Sequence, residues 1–410
     1  MGIEGMNRRE FILKTALGLA TAGLGVSPGH VWAKGEKASF EILYRTLGRT
    51  HLRIPLVSFG VMNSDSPDLI RKALDMGIRH LDTAHAYLRG NSERVIGEIL
   101  EERKCRDKVY VATKMLFARD RDKKIFLSEG DGRSVGATEK NFDEQLAASL
   151  ERLRTDYIDI LYLHSCHGPS MPTYEPIMKA FVKAKESGKA RFIGISTHAG
   201  EPETIRAAVD AKIWDVVLTA YNFMQDHKEE VKDAVAYAAG RGLGIIAMKT
   251  QGGVKVNREK NVEVNHAAAL KWVLNDQNVC TTVPGFTTFA QMDLDFGVMR
   301  DLSLKEEEKR DLKISSLLEG PLYCQYCRAC IPSCPQKVEI PVLMRAYMYA
   351  EGYGNLVQAN LTLEHLPKER GLAACLDCET CTASCRRGIN IGKRLDLLRA
   401  SNALAERSIT

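Results

Sequence analysis

No segment of this chain approaches the ~20 consecutive apolar residues that a membrane-crossing helix requires. The apolar run nearest the N-terminus, Thr15 to Val26, spans 12 residues and is diluted by glycine, alanine and threonine. That argues against an integral membrane segment. Charge of one sign is also missing. The 57 Lys and Arg face 52 Asp and Glu, a net +5 spread along 410 residues, which gives no electrostatic footprint for nucleic acid or a lipid surface. Aromatics are modest at 7% beside an apolar fraction of 45%, in keeping with a soluble globular enzyme. Nowhere does G-x-G-x-x-G follow a strand pattern, which disfavours a dinucleotide-binding Rossmann domain.

What is present, between about Ser39 and Leu318, is an alternation of short apolar runs with amphipathic helical patterns. The candidate strands are Ile54–Gly60, His80–Ala84, Val109–Lys114, Ile158–Ser165, Arg191–Thr197, Val216–Asn222, Leu243–Thr250 and Cys280–Phe286. Helical spacing lies between them, for example Phe142, Leu146, Leu150 and Leu153, and a run Val231–Ala239 that stops at Gly240. Eight β-α units predict an α/β fold of the (β/α)8 TIM-barrel class. Barrel active sites sit where strands end. Strand 2 ends in Asp82-Thr-Ala-His85-Ala-Tyr87, strand 3 in Lys114 and strand 4 in His164. An acid, a phenol, an ammonium and an imidazole are therefore predicted at one mouth. His85, Cys166 and His167 are expected to line the same pocket, and Cys105 and Cys280 to be ordinary buried thiols.

Cysteine is the other informative residue. Eight of the 11 form two copies of C-x2-C-x2-C-x3-C: Cys324, Cys327, Cys330, Cys334, and Cys375, Cys378, Cys381, Cys385. Structural zinc normally uses pairs of cysteines rather than runs of three, and disulfides at this spacing would need distant partners. Iron–sulfur ligation suits the spacing best. Val342, Leu343, Ala346, Tyr347 and Ala350 recur at helical spacing between the copies, and Ile391, Leu395, Leu398 and Leu404 after them. At the other end, Arg8-Arg9 precedes the short apolar run, and Val31-Trp32-Ala33 offers a small-x-small cleavage site.

These features carry three resemblances. The cysteine cadence resembles the bacterial two-cluster ferredoxins, in which the fourth cysteine of each run ligates the other cluster. That resemblance implies two [4Fe-4S] clusters, one on Cys324, Cys327, Cys330 and Cys385, the other on Cys375, Cys378, Cys381 and Cys334. The N-terminus resembles a twin-arginine signal peptide, implying export of a folded, cluster-loaded protein to the periplasm. Tyr44-Arg-Thr-Leu-Gly48, the Asp82–Tyr87 stretch, Thr155-Asp-Tyr-Ile-Asp-Ile-Leu-Tyr-Leu-His164 and Leu270-Lys-Trp-Val-Leu274 resemble the aldo-keto reductases. The expected organisation is a signal in 1–33, a barrel in 34–318 and a small, mainly helical ferredoxin-like domain in 319–410.

The aldo-keto reductase resemblance implies an oxidoreductase acting on a small carbonyl or alcohol through Asp82, Tyr87, Lys114 and His164. Tyr87 would give a proton to the nascent alkoxide. Lys114, held by Asp82, would lower the phenol's pKa, and His164 would orient the carbonyl oxygen. The nicotinamide site implied by the family falls on Ser196, Lys249 and Gly285, and it departs from the family pattern. Ser196-Thr197 replaces Ser-Asn, and Pro284–Gln291 holds no cation for a 2′-phosphate. NADP specificity is therefore not expected, and NAD, a flavin or a lost nucleotide site stay open. A nicotinamide passes two electrons and a cluster one, so a redox protein partner is expected beyond the clusters.

Overall fold

The structure, a computed structural model, describes residues 41–62, 66–131, 134–252, 264–319 and 324–407. The expected signal in 1–33 lies outside them. The described residues after Phe40 belong to one compact unit.

The barrel opens with a hairpin, β1 (Tyr44–Thr46) and β2 (Arg53–Pro55), antiparallel to one another. The eight parallel barrel strands follow: β3 (Phe59–Gly60), β4 (His80–Asp82), β5 (Tyr110–Met115), β8 (Ile158–Cys166), β9 (Ala190–Thr197), β10 (Val216–Ala220), β11 (Gly244–Met248) and β12 (Thr281–Thr282). A small hairpin, β6 (Arg119–Asp120) and β7 (Ile125–Phe126), sits after β5. The sheet order is β12-β11-β10-β9-β8-β5-β4-β3. The ring closes where Val57 bridges Thr282 and the Ser58 N–H donates to the Thr282 carbonyl at 2.8 Å. The predicted strand Ile54–Gly60 is thus two elements. Its first half turns back on β1, because Leu47, Leu52 and Ile54 plug the barrel interior together with Ile160, Tyr162, Leu218 and Ile246. Gly48 allows the plug to seat: its φ is +49°, and a Cβ there would lie 2.4 Å from the Gly244 nitrogen.

The strands are buried on both faces, as parallel strands under helices must be. Along β8, Ile160 and Tyr162 face the interior while Leu161 and Leu163 meet the helical layer. That layer holds α1 (Pro67–Asp75), α2 (Asn91–Glu102), α3 (Glu139–Leu153), α4 (Glu175–Glu186), α5 (Glu201–Asp210), α6 (Lys228–Ala239), α7 (His266–Leu274), α8 (Phe289–Gly297) and α9 (Glu306–Glu319). In α3, Phe142, Gln145, Leu146, Ser149 and Leu153 form the buried stripe, and the Thr138 hydroxyl caps the first turn by accepting from the Asn141 N–H at 3.2 Å. At the end of α6 the left-handed residue is Gly242, φ +83°, and not Gly240.

The C-terminal region packs α10 (Ile340–Tyr347), α11 (Leu356–Glu364) and α12 (Ile391–Arg407) around Leu343, Ala346, Tyr349, Ala350, Leu395 and Leu398. The side chain of Leu404 lies outside the described residues. A π turn, Met348–Gly352, continues α10. The region docks over the barrel mouth by polar clamps. Arg89 donates to both carboxylate oxygens of Glu364 at 2.6 and 2.8 Å. Asp122 takes Arg328 at 2.5 Å and Arg370 at 3.1 Å, and the same two arginines hold buried Glu339. Gln325 bonds the Met224 carbonyl at 3.2 Å and the Asp226 N–H at 3.4 Å. Among the described residues no helix is long and apolar enough to cross a membrane.

Candidate active site

Parallel pairing puts Asp82 level with Ala112, and Lys114 level with Tyr162 two residues further on. Alternation then turns Asp82 and Lys114 to the barrel interior, just below the mouth. The Lys114 ammonium donates to Asp82 Oδ1 and, at 2.5 Å, to the Thr83 carbonyl. Both side chains are buried, Lys114 at 1% exposure and Asp82 at 6%. Burial raises the Asp82 carboxyl and lowers the Lys114 ammonium, and their mutual attraction opposes both shifts. Tyr87 lies above them in the β4–α2 loop, its ring centroid 4.9 Å from the Lys114 Nζ. His164 meets the Tyr87 ring edge-on with centroids 5.8 Å apart. All four predicted residues, Asp82, Tyr87, Lys114 and His164, therefore converge.

Burial, with Asp82 and Tyr349 second, holds the Tyr87 phenol well above its usual range, and the Arg345 guanidinium is the opposing influence. Burial thus outweighs the lowering expected from a neighbouring cation. Tyr87 rests protonated. Burial and then Lys114 push the His164 imidazole well below its usual range, so it rests neutral. Among the described residues its Nδ1 has no hydrogen-bond partner.

Tyr87 and His164 border a cavity of about 590 Å3. Strand ends form the floor. Tyr326, Arg345, Met348, Tyr349, Leu361 and His365 of the C-terminal region form the roof. Arg119, Arg121 and Arg345 were not anticipated: the hairpin bearing the first two breaks the strand–helix period, and α10 looked like cofactor-domain core. His167 lines the cavity as expected. His85 does not. It turns to α3, where Ser149 Oγ lies 3.2 Å and Arg152 Nη1 3.3 Å from its Nδ1. Cys166 lies in the apolar layer outside the strands, where burial pushes its thiol up to about 12.

The residues named for nicotinamide are less united. Lys249 and Gly285 line the cavity. The Ser196 hydroxyl is buried behind the wall and accepts from the Ser165 N–H at 2.8 Å. That contact locks the β8 bulge, where Ser165 has φ +64°. Along the β12 wall, Gln251 donates to both Asp295 oxygens at 2.8 and 2.9 Å. The first turn of α8 is satisfied from within, by Thr288 accepting from the Gln291 N–H and Gln291 from the Thr287 N–H. A helix start that could receive phosphate is thus already capped, beside a carboxylate. The described residues of this wall suit a 2′-phosphate poorly.

Among the described residues none of the eight cysteines of the two runs is joined in a disulfide. Cys330 feels Cys324, Cys327 and Cys385 electrostatically, whereas Cys375 feels Cys334, Cys378 and Cys381. The second set rings its own cavity of about 390 Å3. These are the two foursomes implied by crossed ligation, and thiols so grouped on short loops fit iron–sulfur clusters. Burial, and then the neighbouring Cys324, pushes the Cys330 thiol up to about 12.

Comparison with known proteins agrees. Residues 58–263 match the aldo/keto reductase family and residues 323–389 a 4Fe-4S dicluster domain. Versiconal hemiacetal acetate reductase of Aspergillus parasiticus is 32% identical over 228 residues, 50% of this chain and 65% of that protein. L-galactose dehydrogenase of Arabidopsis thaliana is 31% identical over 50% of this chain and 65% of its own length. An aldo-keto reductase of Mycobacterium sp. (strain KMS) is 28% identical over 65% of this chain and 90% of its own. The chain spans 65% and 59% of the first two curated relatives, so it matches less than two-thirds of each. A solved aldo-keto reductase from Bacillus halodurans, in its holo form, superposes with a TM-score of 0.54 at 22% identity, over 67% of this chain and 96% of that one; that likeness concerns the fold.

Proposed function

The chain belongs to the aldo/keto reductase family and carries a 4Fe-4S dicluster domain, and from that premise we propose that it interconverts a small carbonyl and its alcohol at the barrel mouth, with electrons exchanged through two [4Fe-4S] clusters. The observation that carries the reading is the buried Asp82–Lys114 pair beneath Tyr87 and His164, in a cavity roofed by the cluster-bearing region. The substrate oxygen sits between the Tyr87 hydroxyl and the His164 imidazole. Carbonyl reduction takes two electrons and two hydrogens: Tyr87, protonated at rest, would give its proton to that oxygen, while the carbon would receive hydride from a nicotinamide or flavin whose electrons the clusters would exchange one at a time. Arg345 and Lys114 then stabilise the phenolate, and the neutral His164 donates a hydrogen bond that fixes which face of the carbonyl is presented. The roof excludes water, which strengthens each of these interactions. When bound, the clusters supply single electrons. The set around Cys330 adjoins the mouth through Tyr326, which lines the cavity between Cys324 and Cys327. The other set is lined wholly by the C-terminal region, with Cys381 exposed, and is the side proposed for a redox protein partner. Arg8-Arg9 and the Val31-Trp32-Ala33 site support export through the twin-arginine route.

Anaerobic purification with metal, flavin and nucleotide analysis of one sample tests this reading. About eight irons per chain are expected. Tyr87→Phe is expected to abolish turnover with iron content unchanged, and carbonyl turnover at the wild-type rate in that variant refutes the site. A mature N-terminus near Lys34 in a periplasmic fraction supports export, and an uncleaved cytoplasmic chain overturns it. The capped α8 start and the Gln251–Asp295 pair favour a second reading, a barrel that has lost its nucleotide and serves as an electron-transfer subunit. Tight NAD(H) or NADP(H) binding by the purified protein eliminates that alternative.

A further inference from the structure

The cavity wall carries more positive charge than the proton-transfer chemistry uses. Arg119 and Arg121 come from the β6–β7 hairpin, Lys249 from the end of β11 and Arg345 from α10, and all four line the one space. Lys114 and Asp82 neutralise one another below it. The other carboxylates on the wall are Asp131, which accepts from the Ser134 N–H at 2.7 Å, and Asp295, held by Gln251. Among the described residues neither Arg119 nor Lys249 has a carboxylate within ion-pair distance. Arg119 spends one N–H on the Ser165 carbonyl, and Arg345 lies 4.6 Å from the centroid of the Tyr326 ring. His164, His167, His198 and His365 complete the wall. Each is driven below its usual range by burial first and by these cations next, so they add hydrogen-bond donors without adding charge.

Burying cations beside one another is costly unless a counter-charge joins them. Burial and then Arg345 hold the Lys249 ammonium well below its usual range, and a bound anion would favour its charged form. The arginines of the β6–β7 hairpin stand on the β5 side, three strands around the ring from the β12 wall. They are thus separate from the Gly285–Asp295 stretch where a nucleotide phosphate would approach.

We propose that the substrate of this enzyme is an anionic carbonyl or alcohol, whose carboxylate or phosphate is held by Arg119, Arg121, Lys249 and Arg345 while its reacting oxygen lies between Tyr87 and His164. The inference rests on the reading of the mouth as the reactive site. It assigns substrate recognition to both parts of the chain: the barrel contributes three cations and the cluster-bearing roof the fourth. Planar guanidinium groups suit an oxyanion because they can donate paired hydrogen bonds to it.

The test is calorimetric titration of the anaerobic, cluster-loaded enzyme with 4-hydroxymethylbenzoate, the neutral 4-hydroxymethylbenzamide and 4-hydroxymethylphenyl phosphate. The charged compounds are expected to bind at least about tenfold more tightly than the amide, and to weaken with added salt. Which of the two binds better identifies the oxyanion. Arg119→Met and Arg345→Met should each remove about tenfold or more of the charge preference, with iron content and circular dichroism showing that the fold persists. Arg121→Ala, whose side chain makes no hydrogen bond or ion pair among the described residues, supplies a variant with little risk to folding and should reduce the same preference. Equal affinity for benzoate and benzamide, or a preference that survives all three substitutions, overturns the inference. Tyr87→Phe keeps the two claims apart. A dead variant with the charge preference intact supports both; a dead variant beside a wild type without preference removes the anion site alone. A fully active variant removes the reading of the mouth.

Discussion

Replacing Asp82 by Asn would strand the Lys114 ammonium in a site where its side chain is 1% exposed. Removing one partner of a buried pair typically destabilises by about 3–5 kcal/mol. Here a tighter ceiling applies, because the lysine can escape by releasing its proton. At pH 7.5, about three units below the ordinary lysine pKa, that release costs about 4 kcal/mol; at pH 9 it costs about 2 kcal/mol. The Asp82→Asn penalty should therefore halve as pH rises across this window. Lys114→Met strands the carboxylate instead, and the sign reverses. Taking up a proton costs about 5 kcal/mol at pH 7.5 and about 2 kcal/mol at pH 5.5, so that penalty shrinks as pH falls. The double variant, with neither charge to bury, should recover most of the stability of either single change while remaining inactive. Urea midpoints read from the emission of Trp214, wholly buried in the helical layer, measure all three. A pH-independent loss in Asp82→Asn, or a double variant as unstable as the sum of the singles, would show that the two groups are not a desolvated ion pair.

Other outcomes follow from neighbouring groups. Burial drives His80 down from 6.5 to about 3, so stability is lost as pH falls through 6.5, by about 2 kcal/mol between pH 7.5 and 5; His80→Phe should remove that increment from a denaturation series. Cys385→Ser should remove the cluster site beside the mouth and Cys334→Ser the outer one. Each should cost about four of eight irons, with Cys385→Ser keeping the same electron paramagnetic resonance signal as Cys324→Ser and Cys334→Ser the same as Cys375→Ser; the reverse pairing would refute crossed ligation. Gly48→Ala should destabilise the barrel by about 2–4 kcal/mol in the same urea assay, since the new Cβ meets β11 backbone at a positive φ.

The barrel was legible because parallel strands buried on both faces read as apolar runs, and helices with one buried stripe read at their own period. Prediction failed where a run served two elements. Ile54–Gly60 is apolar apart from Ser58, yet its first residues pair with β1 and plug the floor while only its last ones join the ring. The positions of Asp82, Tyr87, Lys114 and His164 could be read because strand ends bring distant residues to one mouth. Ser196 could not be placed that way. A bulge in β8, visible only as left-handed Ser165, draws its hydroxyl behind the wall. His85, two residues before Tyr87, was drawn off by Ser149 and Arg152 on α3, partners that no local pattern announces. Arg345 was hidden for another reason. Its neighbours Leu343 and Ala346 form core at helical spacing, and that regularity obscured a position facing the barrel.

The roof changes what the cysteine-bearing region is for. A domain that only relayed electrons could dock anywhere within reach of the site. This one supplies Arg345 and Tyr349 to the field at Tyr87, and its Arg328 and Arg370 share Asp122 with the hairpin that presents Arg119. The π turn after α10 is what brings Tyr349 inward, a local irregularity of the sort that often marks function. Proton donor, substrate wall and cluster ligands are therefore fixed relative to one another by the same contacts. Displacing the roof would open the cavity to water, and it would take away a cation that eases ionisation of Tyr87. On the proposed reading, the route for electrons and the choice of substrate would both depend on this one interface.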